Sequence, residues 1–136
     1  MVQILQRVEK EMYRHAESIY PEECCGLLFG VEHNGAKKVV EAIQLRNEEP
    51  AHREERFLVT PQDYRNAEKS AKGKNLQVIG CYHSHPNNQI APSQYDVEHG
   101  IPSFVSIIIA VYCGRASGIS VWLLHENRLG YNELED

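Results

Sequence analysis

The segment CYHSHPNNQIAPSQYD, residues 81–96, places His83 and His85 one residue apart and follows them with Ser93 and Asp96. In a strand, side chains at i and i+2 share a face, with Cα atoms ~6.6 Å apart. Two imidazoles so placed can converge on one ion at Zn–N bonds of about 2.0–2.1 Å. The chain then loops and enters a helix whose first turn can return the Asp96 carboxylate as a third ligand. Two nitrogens and one oxygen suit Zn²⁺ with a fourth position open for water, which is the pattern of a catalytic site rather than a structural one. Simpler readings stand beside this one. H-x-H also occurs on exposed strands without a metal, and S-x-x-D fits a helix start in which Asp96 only caps. His99, one turn later, is either a rival ligand or a partly exposed helix residue.

Other H-x-H chemistries can be tested against the same residues. A binuclear H-x-H-x-D-H site needs Asp and His where Asn87 and Asn88 stand. A zinc deaminase needs H-x-E and a later P-C-x-x-C, whereas His83 is followed by Ser84-His85 and the chain has no C-x-x-C. H-E-x-x-H is absent as well.

The elements that must position these residues follow from periodicity. Val2, Leu5, Val8, Met12, Ala16 and Ile19 recur at helical spacing, predicting a helix over 2–19 that ends at Tyr20-Pro21. Residues 24–31 and 36–45 read as a hairpin about the turn signal HNG, and the charged segment 46–56 as a solvated loop. Thr60-Pro61 opens a second helix that Gly73 stops. Residues 76–85 form a strand, and a short helix follows, with Ser93 at its N-cap and Gly100 past its end. FVSIIIAVYC, 104–113, is apolar on both faces and predicts a central strand. A last hairpin turns near residues 125–128. The expected fold is α/β: one domain over 1–136, a mixed sheet of about six strands, two main helices and one short helix.

The totals narrow the function. A net charge of −5 argues against nucleic acid, which needs a basic surface. The longest apolar run is too short to span a bilayer, and the charged N-terminus has no signal core, so neither membrane nor export is expected. Cys24, Cys25, Cys81 and Cys113 are expected to be free, buried thiols of a reducing cytoplasm.

H-S-H-P, six residues and S-x-x-D, together with Glu23 before x-Cys-Gly in PEECCGLLFG, closely resemble the JAMM/MPN+ family of zinc metalloproteases. The segment LRNEEPAHREERFLVTPQDYRNA is similar to one carried by bacterial and archaeal members, so the likeness runs from about Glu9 to Leu129. It implies one Zn²⁺ on His83, His85 and Asp96. It implies that Glu23, which periodicity alone does not separate from Glu22, is the general base, and that Ser93 supports the tetrahedral intermediate. Ser84 should face away from the metal. The implied reaction is hydrolysis of a peptide or isopeptide bond next to the tail of a ubiquitin-like protein, with a Gly-Gly-tailed sulfur carrier as the expected partner. Such a tail is expected to add as an extended strand near 47–57. EHGIPSF leaves no room for the second insertion that eukaryotic deubiquitinating members use, which speaks against ubiquitin itself. The alternatives are a zinc amidohydrolase acting on a small metabolite and a non-catalytic MPN scaffold.

Overall fold

Val2-Gln3-Ile4, with its branched apolar residues two apart, starts the chain as strand β1 (Val2–Ile4), and Leu5 caps helix α1 (Gln6–Ile19). The hairpin follows as β2 (Cys25–His33) and β3 (Ala36–Leu45), then α2 (Pro61–Gly73), β4 (Gln77–Pro86) and α3 (Gln94–His99). Strands β5 (Val105–Tyr112), β6 (Arg115–Leu124) and β7 (Tyr131–Leu134) complete the order. This computed structural model describes residues 2–124 and 131–134. The hairpin turn expected at 125–128 lies outside the described residues.

Among the described residues the strands form one mixed sheet in the order β1-β3-β2-β4-β5-β6-β7. Neighbours are antiparallel except β1–β3 and β4–β5. Strand β4, which carries both histidines, is therefore central, and the parallel step to β5 requires a crossover. That crossover contains α3 and Asp96. Helix α1 sets Val8, Met12 and Ala16 on one face of the sheet, against Leu28, Tyr82, Ile107 and Ile109. Helix α2 covers the other face, with Ala67 and Ala71 over Leu27 and Phe29. Leu27 and Leu28 divide between the two clusters because successive strand residues point to opposite faces. Gly26 lies where the strands crowd: a Cβ there would overlap the Tyr82 ring and the Ile43 carbonyl.

The mixed α/β sheet with two main helices and one short one is the architecture the sequence predicts, and β5 is buried from Val105 to Val111 as a central strand should be. Four details differ. Residues 2–4 are a strand rather than the start of α1, because they pair in parallel with Lys37–Val39 and bury Val2. Cys113 is exposed, since it sits in the β5–β6 turn at φ 51°, while the other three thiols are buried or half-buried and all four are free. Residues 46–56 are not uniformly solvated, because Asn47 and Glu49 are buried. No strand forms between β3 and α2, where the Glu48 N–H donates to the Leu58 carbonyl at 3.3 Å. Among the described residues no helix is long and apolar enough to cross a membrane.

Candidate active site

Ser84 sets the register that assembles the site. Its hydroxyl accepts from the Cys24 N–H at 2.8 Å, and its own N–H donates to the Cys24 carbonyl at 3.2 Å. It therefore faces away from its neighbours, as expected, and His83 and His85 share the opposite face of β4. Cys25 pairs with His83, so continuing the antiparallel register places Glu23 across from His85. Asp96 arrives from the crossover in the first turn of α3. There the Ser93 hydroxyl accepts from the Asp96 N–H at 3.1 Å, and Asp96 Oδ2 accepts from the Ser93 N–H at 2.9 Å. This is a reciprocal capping box.

The same Oδ2 lies 3.3 Å from His83 Nε2 and 3.2 Å from His85 Nε2, and the two Nε2 atoms are 3.0 Å apart. All three side chains are buried. Adjacent corners of a tetrahedral ligand shell with bonds of about 2.0–2.1 Å stand about 3.3–3.4 Å apart, so the observed triangle is close to the size a zinc ion requires. Its chemistry fits as well. His85 Nδ1 is 2.6 Å from the Gln89 carbonyl, which only accepts, so Nδ1 carries the proton and Nε2 presents a lone pair. A bare nitrogen and a carboxylate oxygen facing each other at 3.2 Å are satisfied by a cation between them. His83 Nδ1 is buried with no hydrogen-bond partner, and the ring is held instead by stacking on Phe57, with centroids 4.5 Å apart.

Burial lowers the His83 pKa and keeps that imidazole neutral, the form that binds metal. Burial alone would raise Asp96, but the charge of His83 and hydrogen bonds from both imidazoles and the Ser93 amide outweigh it and hold the carboxyl below its usual range. A neutral His83 removes part of that support. The Ser93 N–H still donates to the same oxygen.

Glu23 is 4% exposed, and its Oε1 makes no hydrogen bond. Burial, then the charges of Asp96 and Glu55, push its pKa from 4.5 up to about 9. It lines a cleft of about 300 Å³ with His85, Ser93, Glu54, Glu55 and Asn88. Ser93 and the two glutamates on the loop are exposed, so the cleft opens to solvent. Capping uses a lone pair of the Ser93 hydroxyl and leaves its proton free to donate toward the cleft. The thiol beside Glu23 is no rival nucleophile, because burial pushes Cys24 up to about 12.

The structure thus brings together His83, His85 and Asp96, with Glu23 and Ser93 on the adjoining cleft. His99 stays outside: it is exposed, stacks on Tyr95 with centroids 3.9 Å apart, and its Nδ1 meets the Tyr95 carbonyl. Phe57 and Asn47 carried no signal in the sequence, because loop residues have no periodicity to mark them. Arg56 lies 5.0 Å over the Tyr95 ring and joins the loop to α3.

A family profile described as prokaryotic homologs of the JAB domain matches residues 5–125. A desampylase of Pyrococcus furiosus is 36% identical over 104 residues, which is 76% of this chain and 68% of that protein. The solution structure of a Desulfitobacterium hafniense protein superposes with a TM-score of 0.86 at 26% identity, covering 99% of this chain and 90% of the other. One from Salinibacter ruber gives 0.77 at 30% identity, covering 98% and 88%. The crystal structure of a JAB1/MPN domain protein from Archaeoglobus fulgidus gives 0.57 at 22% identity, covering 98% and 94%, a likeness of fold.

Proposed function

The chain belongs to the prokaryotic JAB-domain family, and from that membership and the site's geometry we propose that it is a zinc-dependent peptidase or isopeptidase. Its substrate is an amide bond next to the C-terminal tail of a ubiquitin-like protein, a sulfur carrier ending in Gly-Gly. The observation that carries this reading is the closed triangle of His83 Nε2, His85 Nε2 and Asp96 Oδ2 beside a buried Glu23 carboxyl whose Oε1 makes no hydrogen bond. The name desampylase denotes removal of a ubiquitin-like modifier, which supports the substrate class.

His83, His85 and Asp96 would hold the zinc ion. When bound, zinc supplies a water of lowered pKa and polarises the scissile carbonyl. The remaining work falls to this chain's side chains. Glu23 receives the water's proton at its carboxyl and passes it to the leaving amine. Burial favours the protonated carboxyl that makes the second transfer. Positive charge at the triangle would offset the Asp96 contribution and return Glu23 toward the ionised form needed for the first. Ser93, with its hydroxyl proton unspent in the helix cap, donates to the oxyanion; such a donor is typically worth ~10²–10³ in turnover. The open cleft accommodates a chain passing through it better than it encloses a small metabolite, and a tail of two glycines has no side chains to exclude it.

The test begins with metal content of protein purified without added metal, beside His85→Ala, followed by cleavage of a Gly-Gly-tailed carrier fusion. About one zinc per chain in the wild type, none in His85→Ala, and cleavage lost in a metal-loaded Glu23→Gln variant are expected. No zinc in either protein, even after incubation with the metal, would refute the enzyme and leave a non-catalytic scaffold.

A further inference from the structure

Glu23 lies just beyond the sheet. The β2–β4 ladder reaches Cys25, and the Cys24–Ser84 contacts end it, so no strand holds the Glu23 peptide. The loop after β3 holds it instead. The Glu23 N–H donates to the Arg53 carbonyl at 2.6 Å, and the Glu23 carbonyl accepts from Asn47 Nδ2 at 3.0 Å. Asn47 is buried, and its side chain is fully used. Nδ2 also donates to the Arg56 carbonyl at 2.9 Å, while Oδ1 accepts from the Glu49 N–H at 3.0 Å and the Leu58 N–H at 3.1 Å. An amide side chain has two donor hydrogens and two acceptor lone pairs; here all four join Glu23 to both ends of the loop. With Oε1 unbonded, the direction of the Glu23 carboxyl depends heavily on where this peptide is held.

We propose that Asn47 is the positioning residue for Glu23: it latches the 46–58 loop against the start of β2 and so aims the carboxyl into the cleft. This role in the reaction rests on Glu23 acting as the base. The four hydrogen bonds of the Asn47 side chain go to Glu23, Arg56, Glu49 and Leu58 and not to the triangle, so its contribution separates from that of the metal site. Asn47→Asp tests it, because the substitution keeps an acceptor for Glu49 and Leu58 and removes both donors to Glu23 and Arg56. A misplacement of about 1 Å in a catalytic group can cost ~10² in rate.

The experiment combines three measurements on the full chain: zinc per chain, hydrogen exchange of the Glu23 amide by NMR, and kcat and KM on the Gly-Gly-tailed carrier fusion. In the wild type the Glu23 amide is expected to exchange well below the rate of an unstructured amide. Asn47→Asp should keep wild-type zinc, lose Glu23 protection and lower kcat by about 10²-fold with KM within about threefold. Wild-type protection and kcat in the variant would overturn the proposal. So would loss of zinc together with activity, since Asn47 would then act on the metal triangle. If the variant does not fold, the wild type decides through the Glu23 N–H bond to Arg53 of the latched loop: rapid exchange at Glu23 overturns the latch, and slow exchange supports a loop docked on Glu23. If the wild type cleaves nothing, the hydrolase reading fails by itself. The exchange comparison still determines whether Asn47 holds the Glu23 peptide.

Discussion

Replacing Glu23 by glutamine should stabilise the fold at neutral pH in protein stripped of metal with a chelator, while the metal-loaded variant loses activity. The folded carboxyl titrates at about 9, raised by burial and then by Asp96 and Glu55, whereas in the unfolded chain it ionises near its ordinary 4.5. Below 4.5 both states hold the proton, and this group contributes no pH dependence. Between 4.5 and 9 only the folded state holds it, so unfolding releases a proton and stability falls by about 1.4 kcal/mol per pH unit. At pH 7.5, three units above the unfolded value, the loss is about 4 kcal/mol. Glutamine does not titrate and escapes it, although burying an amide with few partners costs about 1–2 kcal/mol. The net gain is about 2–3 kcal/mol, or roughly 6–9 °C in Tm at about 3 °C per kcal/mol for a chain of this size. Urea unfolding followed by circular dichroism at pH 5, 6, 7 and 8 reads the effect. The variant-minus-wild-type difference should widen with each unit. Two parallel stability curves across that range would refute the reasoning, because they would show that Glu23 titrates alike in both states.

Two further outcomes follow from the packing. Ser93→Ala should cost about 1 kcal/mol through loss of the cap on α3, in addition to its effect on turnover, whereas Ser93→Thr should keep the cap; equal stability of all three proteins in urea would contradict the capping geometry. Gly26→Ala should fail to yield a folded protein, since its Cβ would overlap the Ile43 carbonyl and the Tyr82 ring; a wild-type Tm would show that the β2–β3 spacing described here is wrong.

The triangle was legible because its parts are local. His83, His85 and Asp96 fall within one strand, loop and helix start, and the rules of period two and of capping act over such distances. Glu23 was not legible in the same way. Choosing it over Glu22 requires the β2–β4 register, a property of two segments about sixty residues apart, and only the likeness of PEECCGLLFG to a known pattern supplied that choice. Strand β1 was misread because Val2 satisfies both a helical and a strand pattern, and what decides is its partner strand, Lys37–Val39. Asn47 was hidden among the charged residues of its loop. Its burial follows from four backbone groups that reach it only after the loop has docked.

The register across Ser84 has a consequence for protein engineering. The three side chains proposed to hold the metal lie in one contiguous cassette, residues 83–96, braced from within by the Asp96 cap and the Gln89 carbonyl and from outside by Phe57 on the His83 ring. The proposed base arrives separately, just before the antiparallel strand that lies beside the cassette. A scaffold with a central strand, an antiparallel neighbour and room for a short crossover helix could therefore receive the cassette first and be assayed for metal. A glutamate grafted afterwards, opposite the second histidine and latched from outside the sheet, would convert a binding site into a hydrolytic one. The two halves of the site are separable in construction, and each step leaves a measurable intermediate product of design.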